Sequence, residues 1–231
     1  MGAITRALGN SLTTGGVVKS TAINNTSVSG ITALPGAITG LGSLVLIKEI
    51  TASSSASIEF INGTNGVVLD STYDSYVFSF IDIHPATDDV YFQFNLSTDG
   101  GSNYNVTKTT TSFEAYHNES DSATNLRYAT ANDLAQSTSD QRLIDLIPTG
   151  AGEDDMCASG NLQLFNPSST VFVKHFLSSV QANVAGSSNY SWISHNAGYA
   201  NTTSAINAVR FQMNSGNIDD GTIKLYGVKK S

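Results

Sequence analysis

Two short runs constrain this chain more than anything else in it: YVFSFIDIHP at residues 76–85 and, four residues later, VYFQFNL at 90–96. In the second, Val90, Phe92, Phe94 and Leu96 alternate with Tyr91, Gln93 and Asn95. Period two puts every large apolar side chain on one face of a strand and spreads them around a helix, so the run predicts a half-buried antiparallel strand. In the first, Tyr76, Phe78 and Phe80 point one way and Val77, Ile81 and Ile83 the other, which predicts a central strand with a partner on each side, stopped by Pro85.

The same pattern recurs along residues 43–231. Strands are expected at 44–51 and 55–61, around Leu162 and Leu164, through Val171, Val173, His175 and Leu177, at 189–195, through Val209, Phe211 and Met213, and around Ile223 and Leu225. The fold class that follows is all-β, a jelly-roll-like antiparallel β-sandwich of nine or ten short strands. His175 is expected in or near the core, because it shares a face with Val171 and Val173. Residues 117–155 are mixed, with a short helix expected around 132–136 and a strand or turn around 143–147. Residues 1–42 hold only Arg6 and Lys19 as charges, with Gly and β-branched residues in no clean period. They read as an extended N-terminal arm that makes an assembly contact, preceding the 43–231 domain.

STDGGSNYN, residues 97–105, has the punctuation of a tight reversal: Asp99, Gly100 and Gly101 suit left-handed backbone. A phosphate loop needs a following helix, which is not readable here, and a calcium loop needs more carboxylates than Asp99 supplies. The stretch is read as a hairpin turn.

Composition narrows the function classes. Ser and Thr together make up 55 of 231 residues and the net charge is −8, with no Lys/Arg cluster to neutralise phosphates, so no nucleic-acid partner is expected. The single cysteine, Cys157, excludes an intrachain disulfide. No segment has the pattern of a signal peptide or a membrane span, and neither a membrane partner nor a cofactor is expected. The spacing of His84, His117, His175 and His195 fits no zinc motif, so no metal site is assigned. Asp82, Asp88 and Asp89 form the best catalytic grouping, but all three suit a strand end and bend tied to backbone N–H groups, and no catalytic residue is assigned. Tyr104, Tyr116, Tyr128, Tyr190, Trp192 and Tyr199 fall near predicted strand ends and loops beside Asn and Asp. An aromatic platform of that kind holds sugars, and the same residues also pack between sheets or subunits.

INNTSVSGITALPGA in the arm, LDSTYDSYVFSFIDIHPATDDVYFQFNLSTDGGSNY, and the closing SAINAVRFQMNSGNIDDGTIKLYGV together resemble an uncharacterised group of virion proteins of tailed, especially marine, bacteriophages. The likeness spans most of the chain and is weakest at 117–155. It implies a non-enzymatic structural subunit, a capsid decoration, head-fibre or tail-fibre-like protein. Such a subunit would be assembled in the host bacterial cytoplasm and carried in the virion. Other virion proteins are the implied partners, with a homo-oligomer, guessed to be a trimer, as the state. The alternatives are a carbohydrate- or receptor-binding module, whose partner would be a surface glycan, and, behind it, a polysaccharide hydrolase.

Overall fold

The computed structural model describes residues 13–14, 17–18, 43–150, 152, 154–184 and 189–230. Of the region expected to form an arm, only a two-residue antiparallel pair is described, β1 (Thr13–Thr14) with β2 (Val17–Val18). The rest of that expectation lies outside the described residues.

Twelve strands build the unit from Ser43 onward: β3 (Leu44–Thr51), β4 (Ile58–Ile61), β5 (Ser75–Pro85), β6 (Val90–Ser97), β7 (Lys108–Asn118), β8 (Thr124–Tyr128), β9 (Gln141–Ile147), β10 (Ala158–Phe165), β11 (Lys174–Val184), β12 (Tyr190–Ala200), β13 (Ala208–Met213) and β14 (Ile218–Val228). They form an antiparallel sandwich, as the alternation predicts, but the layers are unequal. An eight-stranded sheet runs β3-β14-β5-β10-β11-β12-β7-β8, and a four-stranded sheet runs β4-β13-β6-β9.

Aromatic rings fill the space between the layers. Phe78 and Phe80 of β5 and Phe176 of β11 face Phe60 of β4, Phe92 and Phe94 of β6 and Phe211 of β13, all fully buried or nearly so. The strand β5 is central, between β14 and β10. Its second apolar face, however, is the outside of the sheet, where Ile81 is exposed. Ile83 belongs to the core instead, and the cause is local. Asp82 has φ 52°, the ladders to β10 and β14 slip beside it, and the extra residue turns Ile83 inward. The partner at the slip is Gly221 (φ 114°), where a Cβ would meet the Asp82 carbonyl oxygen at 2.6 Å.

Three further expectations are corrected. STDGGSNYN is not a hairpin turn: β6 lies in the small sheet and β7 in the large one, so the stretch carries the chain between layers. Its backbone is as read, with Gly100 at φ 72° and Gly101 at φ 84°. The Asp99 carboxylate organises it, accepting from Ser97 Oγ (2.7 Å), Asn103 N (2.9 Å) and Asn103 Nδ2 (2.7 Å). Those donors, Asn103 foremost, hold its pKa down to about 2. The helix expected at 132–136 is absent. Residues 129–137 lie along the free edge of β7, through Ala129 N to Ser112 O, Thr110 N to Leu134 O and Lys108 N to Ser137 O. These long-range bonds override local helix propensity. Finally, β11 starts at Lys174, and His175 and Leu177 point out of the sandwich while Phe176 points in. His175 is not a core residue.

Candidate functional site

Four strands cannot cover eight, and the shortfall decides the polarity of β7, β8 and β12. Toward β12, β7 and β8 the inner face of the large sheet meets the start of β9 and the segment 129–140 before it, which bring backbone and side-chain polar groups that need partners. The inward positions there are accordingly polar: Thr110, Ser112 and Glu114 of β7, Ser194 and Asn196 of β12, all buried. Glu114 Oε1 accepts from Asn132 Nδ2 at 2.7 Å and its Oε2 from Arg127 Nη2 at 3.1 Å, while Gln141 Nε2 donates to Asn132 O at 2.8 Å. Lys108 is also inward and fully buried, its Nζ donating to Asn95 Oδ1 (2.6 Å) and Val106 O (2.7 Å).

Period two then forces the apolar alternates outward. The registers place them in rows across the outer face: Gln163, Leu177, Ala197 and Thr111; then Asn161, Ser179, His195, Phe113 and Tyr128; then Gln181, Ile193, Ala115 and Leu126. Leu126 is 70% exposed, Tyr128 54%, Leu177 50% and Phe113 46%. From β10 to β8 no outward strand position among the described residues carries Asp, Glu, Lys or Arg. Phe113 stacks on His195 with ring centroids 4.9 Å apart, and Tyr199 lies beside His175 at 6.3 Å. Two shallow depressions share Leu177 and Ala197 as floor, one of about 370 Å³ reaching Thr109 and Tyr199, the other of about 350 Å³ reaching Phe113 and Asn161.

The six aromatic residues expected as a platform divide into three places. Only Tyr128 and Tyr199 lie on the outer face, and the Tyr128 hydroxyl donates to Asp133 Oδ2 at 2.7 Å. Tyr116 and Trp192 stack on each other inside, 4.6 Å apart, with Tyr190 edge-on to Tyr116 and the Arg127 guanidinium 5.2 Å from the Trp192 ring. Tyr104 sits against Gly101 under the Arg210 guanidinium, 4.5 Å from its ring centre. Burial, followed by the Glu59 carboxylate, pushes its hydroxyl above the usual range. The six do not form one surface. The residues that sequence reasoning missed are Phe113, Ala115, Leu126, Leu177, Ile193 and Ala197. Only Phe113 and Ala115 carry a signal, through Glu114: a carboxylate and an aromatic ring at adjacent strand positions take opposite faces, and the sequence does not say which of the two is inward.

Asp82 lines a separate open cleft of about 800 Å³ with His84, Asp154, Asp155, Cys157, Asp219 and Asp220. Asp88 is elsewhere, accepting from Thr149 N at 2.8 Å. Within the cleft, Ser159 Oγ accepts from the Asp82 backbone N–H at 3.0 Å. Burial, and then the Asp82 carboxylate, raise the Cys157 thiol pKa, which disfavours the thiolate. Among the described residues no group of three or more His, Cys, Asp or Glu could hold a metal ion.

The chain matches no family model, no curated protein and no solved structure.

Lys108 gives this region a measurable signature. Burial lowers its pKa to about 8, against the opposing pull of Asp140. Between that value and the unfolded value of about 10.4 the unfolded chain binds more protons than the folded one, so stability rises with pH across this window. Below it the fold carries a cost on the order of 3 kcal/mol. Urea unfolding of the wild type and Lys108→Met should therefore show a stability difference that moves in favour of the wild type by about 2–3 kcal/mol from pH 7.5 to 10. A difference that stays constant would show the ammonium to be at ease where it is.

Proposed function

We propose that this chain is a non-enzymatic structural subunit of a tailed-phage virion, attached on the capsid surface or tail, with the outer face of the eight-stranded sheet as an assembly contact. The carrying observation is that face: exposed among the described residues, with apolar side chains in each of its three rows and no Asp, Glu, Lys or Arg at an outward strand position from β10 to β8. Depletion of charge with retention of aromatic and aliphatic residues is the composition of an interface centre. The resemblance of the three quoted stretches to phage virion proteins supports the same reading, as does a lone cysteine in a chain assembled in a reducing cytoplasm.

The test is to purify particles from cells making either the wild type or Leu126→Glu/Leu177→Glu. The wild type is expected in the particle by mass spectrometry and as density on its surface. The variant, still folded by circular dichroism, is expected to fall at least tenfold in occupancy. Absence of the wild type from particles, or normal occupancy of the variant, would remove this function.

A second reading, a module for a neutral surface glycan, has one specific observation behind it. The two depressions combine ring walls, Tyr199 with His175 and Phe113 with His195, with the amides of Asn161 and Gln163. Glycan-array binding abolished by Tyr199→Ala would move the assignment to it.

A further inference from the structure

We infer that the outer face of the eight-stranded sheet, over β10, β11, β12, β7 and β8, is a self-association surface whose occupant is the same face of a second copy of this chain. The inference rests on the structural-subunit reading above and names the partner at that surface.

Charge is the first argument for a second copy. The chain carries a net charge of −8, so two copies approaching at random repel. Among the described residues no outward strand position from β10 to β8 carries a carboxylate or an ammonium, and the carboxylates at its margin, Asp133 and Asp121, are engaged by the Tyr128 hydroxyl and the His117 ring. The outer side of the small sheet is different: Glu59, Arg210 and Gln212 lie outward there beside Asp140, and the Arg210–Asp140 pair stands at 3.6 Å. Burying that side would cost the desolvation of fixed charges.

Size is the second argument. Five strands spaced about 4.8 Å apart span roughly 24 Å, and strands of eleven residues at about 3.3 Å per residue span roughly 35 Å. The three longest strands of the patch, β7, β11 and β12, have that length. The face therefore offers roughly 700–800 Å², about what each partner contributes to a stable interface.

Relief is the third. Large and small outward residues adjoin in the first and third rows, Leu177 beside Ala197 and Leu126 beside Ala115, while His195, Phe113 and Tyr128 make a ridge between them. Two such faces laid together at the usual angle of about 30° interdigitate large into small, as sheets do inside a sandwich. Contact between identical patches is isologous, so it closes at two copies and leaves the charged side of each sandwich outward.

Sedimentation equilibrium and light scattering of the full chain at 1–200 µM test this. The wild type is expected to reach twice the 24.3 kDa chain mass. Leu126→Glu and Leu177→Glu, at exposed positions where folding does not need the leucine, should each weaken association at least tenfold. Thr64→Glu, in the turn after β4, should leave it unchanged. Radical footprinting of the unaltered protein, read at 1 and 200 µM, should show Leu126, Tyr128 and Leu177 protected only at the higher concentration. A wild type that stays monomeric at 200 µM, or multimers that ignore both leucine substitutions, would overturn the inference. If the same substitutions still removed the chain from particles, the virion reading would stand and the face would belong to a different virion protein.

Discussion

Replacing Phe211 by alanine should lower the unfolding free energy by about 3–5 kcal/mol, the usual range for a fully buried phenylalanine. Phe211 is the hub of the interior. Its ring centre lies 5.1 Å from Phe78, 5.1 Å from Phe80, 6.0 Å from Phe92, 6.2 Å from Phe60 and 6.3 Å from Phe94, so it touches rings from both layers. Two of these pairs, with Phe60 and Phe80, are edge-to-face and add to the area term, and four of its five neighbours are presented by β5 of one sheet and β6 of the other rather than by flexible loops. The walls cannot follow a shrinking side chain without pulling two sheets together, so the vacated space stays open. Equilibrium unfolding in urea measures the loss. Phe211→Leu, which keeps most of the volume, should recover more than half of it. A loss below about 1 kcal/mol would mean that the layers close over the gap.

Phe211 was also readable in advance, and comparing it with Phe113 shows where legibility stops. Around Phe211, Val209 and Met213 share its face and all three positions are apolar, so period two alone settles which side is inside. The same logic recovers Phe78, Phe80, Phe92 and Phe94. In β7 the alternation is equally clear but its sign is reversed: Glu114 is 0% exposed and Phe113 faces out. The reversal comes from Asn132, Arg127 and Ser194, which reach Glu114 from other parts of the chain, and a linear sequence does not display such partners. STDGGSNYN follows the same division. Its glycines announce a bend, because φ above zero is a property of single residues. Whether the bend joins neighbours in one sheet or crosses between two depends on pairing with β12 and β13, residues roughly a hundred positions away. Ile83 illustrates a third limit, since one left-handed residue, Asp82, was enough to flip everything after it.

Glu114→Ala should cost about 2–4 kcal/mol, because it strands interior hydrogen-bond donors without their acceptor. The carboxylate is sealed from solvent and fully engaged: Oε2 accepts Arg127 Nε (3.2 Å) and Nη2 (3.1 Å), and Oε1 accepts Asn132 Nδ2 (2.7 Å) and Ser194 Oγ (3.3 Å). Without it Ser194 loses its acceptor inside the protein, and Asn132 keeps only Asp145 Oδ2, 3.0 Å away, as partner for that amide nitrogen. The two partners differ in what they can recover. The Arg127 side chain is half exposed and can turn its guanidinium to water, whereas the interior amide and hydroxyl cannot. Arg127→Ala, by contrast, leaves the sealed Glu114 carboxylate without its counter-charge and should cost about 3–5 kcal/mol. Adding Arg127→Ala to Glu114→Ala should cost little more, because the charge it served is already gone. The cycle is read by urea unfolding, with hydrogen exchange at Asn132 and Leu134 reporting whether the 129–137 segment loosens from β7. Additive losses would place the main role of Glu114 elsewhere than in the pair. A Glu114→Ala chain as stable as the wild type would mean that polar inward positions of β7 are tolerated rather than required, and the outward placement of Phe113 and Leu126 would then need a cause other than the demands of the interior.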